Sequence, residues 1–333
     1  MKNIQSNLPQ YIIRGGEAAF NPPYNLENTQ FYGFVLEGNS QSLQALCDRY
    51  LNIPGQDVFR YRPVSHYVLM VFDKIAKIYS TTPEGENKGF FPEHGEVMFW
   101  ILTEAEPLQE GGEKHYAWLI PYIFVDSGPA MILGREVYGF PKELAQFELP
   151  ENPSNPQNFS LQTMVLKTFS ANSEITLEEV VKVQSTTKTE ESLKPGANFE
   201  KETSVHLKTA IEEFEQVFEA FNIDKKCLPE LPSGIKLPVV FLKQFRSEQD
   251  GNAACYQAIV EAAFTFQRFR FDLPNVIPFK LYKQEFQVDI TDYASCPIAA
   301  DLGLQATQTA KFAFWVHFDF ACGEGKEVWT ATW

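Results

Sequence analysis

The segment Phe124–Ala145, FVDSGPAMILGREVYGFPKELA, holds the chain's densest set of groups able to do chemistry. Gly134-Arg135-Glu136 puts a cation beside an anion, Gly139-Phe140-Pro141 is a turn signal, and Lys142 follows at once. Pro141 fixes its own φ and biases Phe140 toward extended backbone, so the lysine leaves a rigid turn between apolar stretches and can point inward. At its ordinary pKa of about 10.4, a lysine amine is neutral in only about 0.04% of molecules at pH 7. Bringing that pKa to about 6 takes about 6 kcal/mol, supplied by desolvation or by a neighbouring cation. The neutral amine condenses with a ketone or 2-oxo acid to a Schiff base. The protonated imine then draws electrons for decarboxylation, aldol chemistry or dehydration. Spacing alone leaves Lys142 one of many lysines, most of them surface groups.

Other chemistries find less support. The five cysteines form no C-x-x-C pair and are odd in number, so neither a disulfide framework nor a zinc site is expected. The five histidines are scattered and show no metal-ligand spacing, so no metal and no cofactor is expected. Lys+Arg 28 against Asp+Glu 43 gives a net charge of -15, which argues against nucleic acid or an anionic membrane as partner. The N-terminus lacks an apolar core of signal-peptide length, and there is no run of about 18 apolar residues. A soluble cytoplasmic protein with a small-molecule partner is expected.

The elements that must position Lys142 read mostly as strands. Gln30–Glu37, Ser65–Tyr79 (with a bulge), Gly95–Thr103, Tyr116–Val125 and Phe159–Thr168 have β-type composition, and residues 1–30 read as loop. So do Val239–Phe245, Ala254–Ala262, Gln267–Phe271 and Lys280–Ile290. In Lys311–Phe320, Phe312, Phe314, Val316, Phe318 and Phe320 alternate with Lys311, Ala313, Trp315, His317 and Asp319, which predicts a sheet whose Phe face is core. Ser40–Tyr50 reads as a short helix capped by Ser40, and Thr203–Ile223 as a longer one with an apolar stripe. The fold class is α+β, mainly antiparallel β with attached helices.

GREVYGFPKELA resembles the G-R-E-x-x-x-[YF]-P-K-K-L signature of the acetoacetate decarboxylase family, whose first lysine after the proline forms the Schiff base. The upstream YIFVDSGPAMILGRE resembles the family's Y-L-D-N-E-P-A-I-x-x-G-R-E. Phe91-Pro92-Glu93-His94-Gly95-Glu96 resembles Y-T-E-S-G-Q, whose glutamate is an active-site acid. Fainter likeness runs through Asn28–Asn39, Leu237–Ala262 and Cys296–Phe320. The resemblance implies a closed, barrel-like sheet around the lysine, and a single domain over residues 1–333 with an enlarged polar, helical middle at about 170–235. It also implies a homo-oligomer.

By that resemblance Lys142 is the Schiff-base lysine and Glu93 the acid, with Glu96 competing for the place if the register slips. Four positions depart from the family, one of them Phe140, which stands in place of a tyrosine two residues before the lysine. Glu143 replaces the second lysine, Thr29 stands where an arginine holds the substrate carboxylate, and the second active-site glutamate falls near Met70. Arg135, Phe140 and Met70 are the candidate substrate contacts: Arg135 as a replacement carboxylate binder, against a structural ion pair with Glu136 that orients the turn, and the other two as apolar walls, against plain core. His94 is a candidate proton shuttle or a surface histidine. The implied activity is a Schiff-base lyase on a small oxo acid or ketone, either a decarboxylase or an aldolase or dehydratase. The alternative is a non-catalytic binding or structural protein that keeps the fold.

Overall fold

The computed structural model describes residues 10–12, 20–56, 58–186, 236–270 and 278–331. Its strands are β1 Tyr24–Glu37, β2 Phe59–Pro63, β3 Tyr67–Ser80, β4 His94–Pro107, β5 His115–Val125, β6 Lys142–Glu148, β7 Asn158–Leu166 and β8 Ile175–Ser185. Then come β9 Lys236–Arg246, β10 Ala254–Phe269, β11 Phe279–Tyr282, β12 Phe286–Ile290, β13 Thr307–Thr309, β14 Phe312–Cys322 and β15 Lys326–Thr330.

Seven of them close into a barrel. Their hydrogen-bonded order is β5-β9-β10-β14-β1-β3-β4, and β4 returns to β5. Every pair in the ring is antiparallel except β5–β9. This is the closed, mainly antiparallel sheet expected from the sequence. β6 runs parallel to β5 and leads out into a second sheet of β7, β8, β12 and β13.

Pro121 marks the fork. β5 pairs with β9 at Trp118 and Leu119, and with β6 at Ile123–Val125. Between these stretches its register against β4 slips, between Phe99 and Ile101. A proline has no N–H to donate, so it sits without loss where the ladder is already broken. β5 thereby carries the barrel on one half and launches β6 from the other.

Side-chain alternation sorts the wall into two faces. Leu69 and Val71 of β3, Met98 and Trp100 of β4, and Phe314 and Val316 of β14 belong to one core, inside the barrel. The intervening Met70, Phe72, Val97, Phe99, Ala313 and Trp315 face outward. Phe159, Leu161, Val181 and Phe286 of the second sheet cover that outer face, with Leu43, Leu46 and Cys47 of the helix Ser40–Cys47. Phe159 lies with its ring centroid 5.1 Å from Tyr32 and from Phe34 and 5.2 Å from Phe72. β4 is buried on both faces, which explains why GEVMFWILT reads as one apolar run and not as an alternation.

Several boundaries differ from the sequence reading. β1 starts at Tyr24, inside the stretch read as loop, and β8 occupies polar sequence. β3 pairs without a register shift; the bulge is in β1, between Leu26 and Thr29. The helix at Ser40 is capped by Asn39, whose side chain accepts from Gln41 N at 2.9 Å and Ser42 N at 3.2 Å. The helix read at Thr203–Ile223 lies outside the described residues. Among the described residues, no helix is long and apolar enough to cross a membrane.

Candidate active site

The turn that delivers Lys142 is built from its glycines. The helix Gly128–Leu133 widens into a π-helical turn, Gly134–Tyr138, which ends at Gly139 with φ 79°. That left-handed conformation favours glycine, and a Cβ there would lie 2.5 Å from the Lys243 Cα. The Phe140 N–H donates to the Gly134 carbonyl at 3.1 Å, and the Lys142 N–H to the Phe140 carbonyl at 2.8 Å. Arg135 Nη1 donates to the Lys142 carbonyl at 3.0 Å. The backbone on both sides of the lysine is therefore pinned. Its stem passes over Gly134, where a Cβ would come 2.8 Å from Lys142 Cδ and 2.9 Å from Cε.

Lys142 is buried, and its amine donates to Glu96 in an ion pair of two buried side chains. Glu96 on β4 stands directly opposite Asp73 on β3, and its N–H donates to Asp73 Oδ1 at 2.9 Å. Side chains at directly opposed strand positions are about 5 Å apart at Cβ, and like charges there repel. Asp73 is 2% exposed. Burial, and then the Glu96 charge, push its carboxyl well above the usual carboxylate range; the Glu96 N–H and Lys142 pull the other way. The trio thus places two buried carboxyl groups, Glu96 and Asp73, beside one buried amine. His94 is next along β4 on the same face. Its Nδ1 lies 3.0 Å from the Pro92 carbonyl oxygen, so that nitrogen carries the proton and Nε2 is turned to Glu96, 3.9 Å from Oε1.

The trio opens onto a cavity of about 160 Å³ inside the barrel. Its walls are Met98, Trp100 and Trp118 on one side and Phe264, Phe266, Phe314, Phe318 and Phe320 on another, with Phe140 beside the lysine. The tyrosine hydroxyls that reach it are used: Tyr24 donates to the Phe20 carbonyl at 2.6 Å and Tyr138 to the Gly323 carbonyl at 2.8 Å. Burial pushes the Cys322 thiol up to about 12, so it enters the wall as a neutral group. Among the described residues, no three His, Cys, Asp or Glu side chains are placed to hold a metal ion.

The family model for acetoacetate decarboxylase matches residues 59–215, a stretch that includes all three groups. Solved structures of the family share the fold. The acetoacetate decarboxylase of Legionella pneumophila superposes with a TM-score of 0.55 at 15% identity, over 98% of this chain and 94% of that one. A second acetoacetate decarboxylase structure gives 0.54 at 12% identity, over 94% of this chain and 92% of that one. No curated protein matches the chain in sequence.

The residues singled out in the sequence fall in different places. Lys142 and Phe140 line the cavity. Glu93 does not reach it: it precedes β4, its side chain is 58% exposed, and it pairs with Lys74 at 2.9 Å. The carboxylate at the lysine is Glu96, the competing candidate. Met70 is fully buried in the outer core, because it lies between Leu69 and Val71, whose side chains take the inner face. Arg135 is exposed and holds the Lys142 carbonyl from outside, so it buttresses the turn and binds nothing in the cavity. Glu143 takes the opposite face of β6 from Lys142, where Arg135 is the cation that acts on it. Thr29 is fully buried in β1 and is not part of the cavity wall. Sequence reasoning missed Asp73. Its signal was a single acid within the apolar run VLMVFDKI, a buried-charge pattern that marks functional sites.

Proposed function

We propose that the protein is a Schiff-base-forming lyase acting on a small carbonyl compound, with Lys142 as nucleophile. One observation carries the reading: the Lys142 amine is buried at the wall of an apolar cavity, against Glu96 and beside the buried Asp73, whose carboxyl is pushed by burial well above the usual carboxylate range. Glu96 takes a proton from the ammonium, and the freed lone pair forms the C–N bond to the carbonyl carbon. The carbonyl oxygen takes the Asp73 proton, and Asp73 recovers one from the new C–N nitrogen. Glu96 then returns its proton to the hydroxyl, which leaves as water. One ammonium and one carbonyl have become one iminium and one water. In a retro-aldol cleavage the iminium accepts the electron pair of the breaking C–C bond, Glu96 takes the hydroxyl proton of the fragment that departs as a carbonyl compound, and an enamine remains. Glu96 gives that proton to the enamine carbon, which restores an iminium, and water releases the product and restores the ammonium.

Two carboxyl groups beside one amine form an arrangement suited to such proton traffic. The dry wall keeps the iminium from premature hydrolysis. The engagement of the amine with Glu96 also fits a second reading, a binding protein that keeps the fold and holds its ligand without bonding to it. Borohydride reduction in the presence of carbonyl compounds separates the two. A mass increase located on Lys142, absent in Lys142→Ala, is expected. Failure of every carbonyl compound to mark Lys142, while the cavity still binds one of them, leaves the binding reading in possession.

A further inference from the structure

We infer that the carbonyl compound this cavity takes is a neutral, largely apolar ketone or aldehyde carrying an aryl or alkyl group, and not a short oxo acid. The inference rests on the preceding reading only for which end of the ligand meets Lys142. The argument for its polarity begins with the charges. Asp73 and Glu96 stand together at the amine, so the positive charge of Lys142 is already matched by Glu96. A substrate carboxylate brought to Lys142 would meet the ionised Glu96 and the carboxyl of Asp73 in a medium where like charges repel strongly. It would also have to shed its own hydration against Phe140, Phe264 and Phe320. Arg135, the residue the sequence offered as a replacement carboxylate binder, donates to the Lys142 backbone from outside the cavity.

Shape adds length. Glu96, Met98 and Trp100 succeed one another on the inner face of β4, and all three line the cavity. Four residues of strand separate the first from the last, about 13 Å at about 3.3 Å per residue. A carbonyl held at Lys142 therefore leaves room for a tail running along β4 toward Trp100 and Trp118, whose ring centroids are 5.8 Å apart in an edge-on pair. The volume of about 160 Å³ sets the bulk. An apolar cavity of about 150 Å³ takes up benzene, so one ring or a chain of similar size fits. A two- or three-carbon oxo acid would leave most of this wall without a partner.

The test compares 4-phenyl-2-butanone and 2-octanone with acetoacetate and pyruvate on the full-length protein. Two readings are taken for each. One is the concentration giving half-maximal borohydride trapping on Lys142. The other is non-covalent binding to Lys142→Ala, followed by tryptophan fluorescence. Trapping by the two neutral ketones at concentrations about tenfold or more below those needed for the oxo acids is expected, together with binding of the ketones to the variant. Oxo acids trapping as well as the ketones, or better, overturns the inference and leaves the Schiff-base reading intact. Ketones that bind the variant and never form an adduct with the wild type uphold the ligand class and overturn the Schiff base. Absence of both binding and trapping by the ketones overturns the inference.

Discussion

Gly134 gives the sharpest handle on the lysine, because its backbone tolerates a side chain while its surroundings do not. Its φ and ψ are -63° and -42°, an ordinary right-handed conformation, so Gly134→Ala introduces no backbone strain. Helix propensity alone favours alanine there by about 1 kcal/mol. The added methyl, however, would lie 2.8 Å from Lys142 Cδ, 2.9 Å from Cε and 3.1 Å from Phe140 Cδ2. Carbon atoms settle at about 3.5–4.0 Å, so the stem must retreat by roughly 0.7 Å or more. A lysine stem is flexible and yields, so the expected loss of stability is small, about 0–2 kcal/mol after the propensity gain is set against overpacking. The amine is carried away from Glu96 and from the cavity. Misplacement of about 1 Å at a reacting centre is worth about 100-fold in rate. The assay is the rate of borohydride trapping of a ketone on Lys142, with thermal unfolding in parallel. A trapping rate within twofold of wild type, in a variant as stable as wild type, refutes the packing of the stem against Gly134 and with it the account of how the amine is aimed.

Three further outcomes are expected. Glu96→Gln removes the charge facing a buried ammonium, and denaturant unfolding should show a loss of about 3–5 kcal/mol, as for other broken buried pairs. Asp73 has its folded pKa raised above the ordinary 3.8, so the folded state holds its proton more tightly than the unfolded one. The stability this contributes is complete below pH about 4 and is lost as pH rises through the folded pKa. Asp73→Asn should therefore gain on wild type as pH increases from about 4, and a stability difference independent of pH would count against a raised Asp73. Met70 and Met98 sit on opposite faces of the barrel wall: Met70→Ala should cost about 2–5 kcal/mol by thermal unfolding with ketone trapping unaltered, whereas Met98→Ala should shift the half-saturating ketone concentration.

How much of this the sequence carried depended on parity along strands. The alternation in Lys311–Phe320 was plain, and its Phe face does point inward; what it could not convey is that these rings border a cavity and are not close-packed core. Lys142 was legible because a rigid Gly-Phe-Pro turn and a family-like motif coincide there. The acids were harder. Glu93 and Glu96 are three residues apart, so they cannot share a face of one strand, and only the start of β4 at His94 decides between them. Met70 and Asp73 are likewise three apart, and one slip of register exchanges core for cavity. Glu143, which stands in place of the family's second lysine, is next to Lys142 in sequence but not in space; on a strand, neighbours face opposite sides.

The positions of the site groups along the chain have a bearing on how the protein can change. Asp73, Glu96 and Lys142 are all delivered by the run from β3 to β6, whereas Phe264, Phe266 and Phe314–Phe320 come from β10 and β14. The three polar groups at the cavity come from one half of the chain, and much of its aromatic wall from the other. Substitutions in the later half can recut the binding wall while the proton-handling groups stay as they are. The same division gives synthesis an order. A nascent chain that has reached β6 already holds Asp73, Glu96 and Lys142, but the ring that buries the Lys142 amine closes only when β9, β10 and β14 follow. The amine is thus sheltered only in the finished barrel.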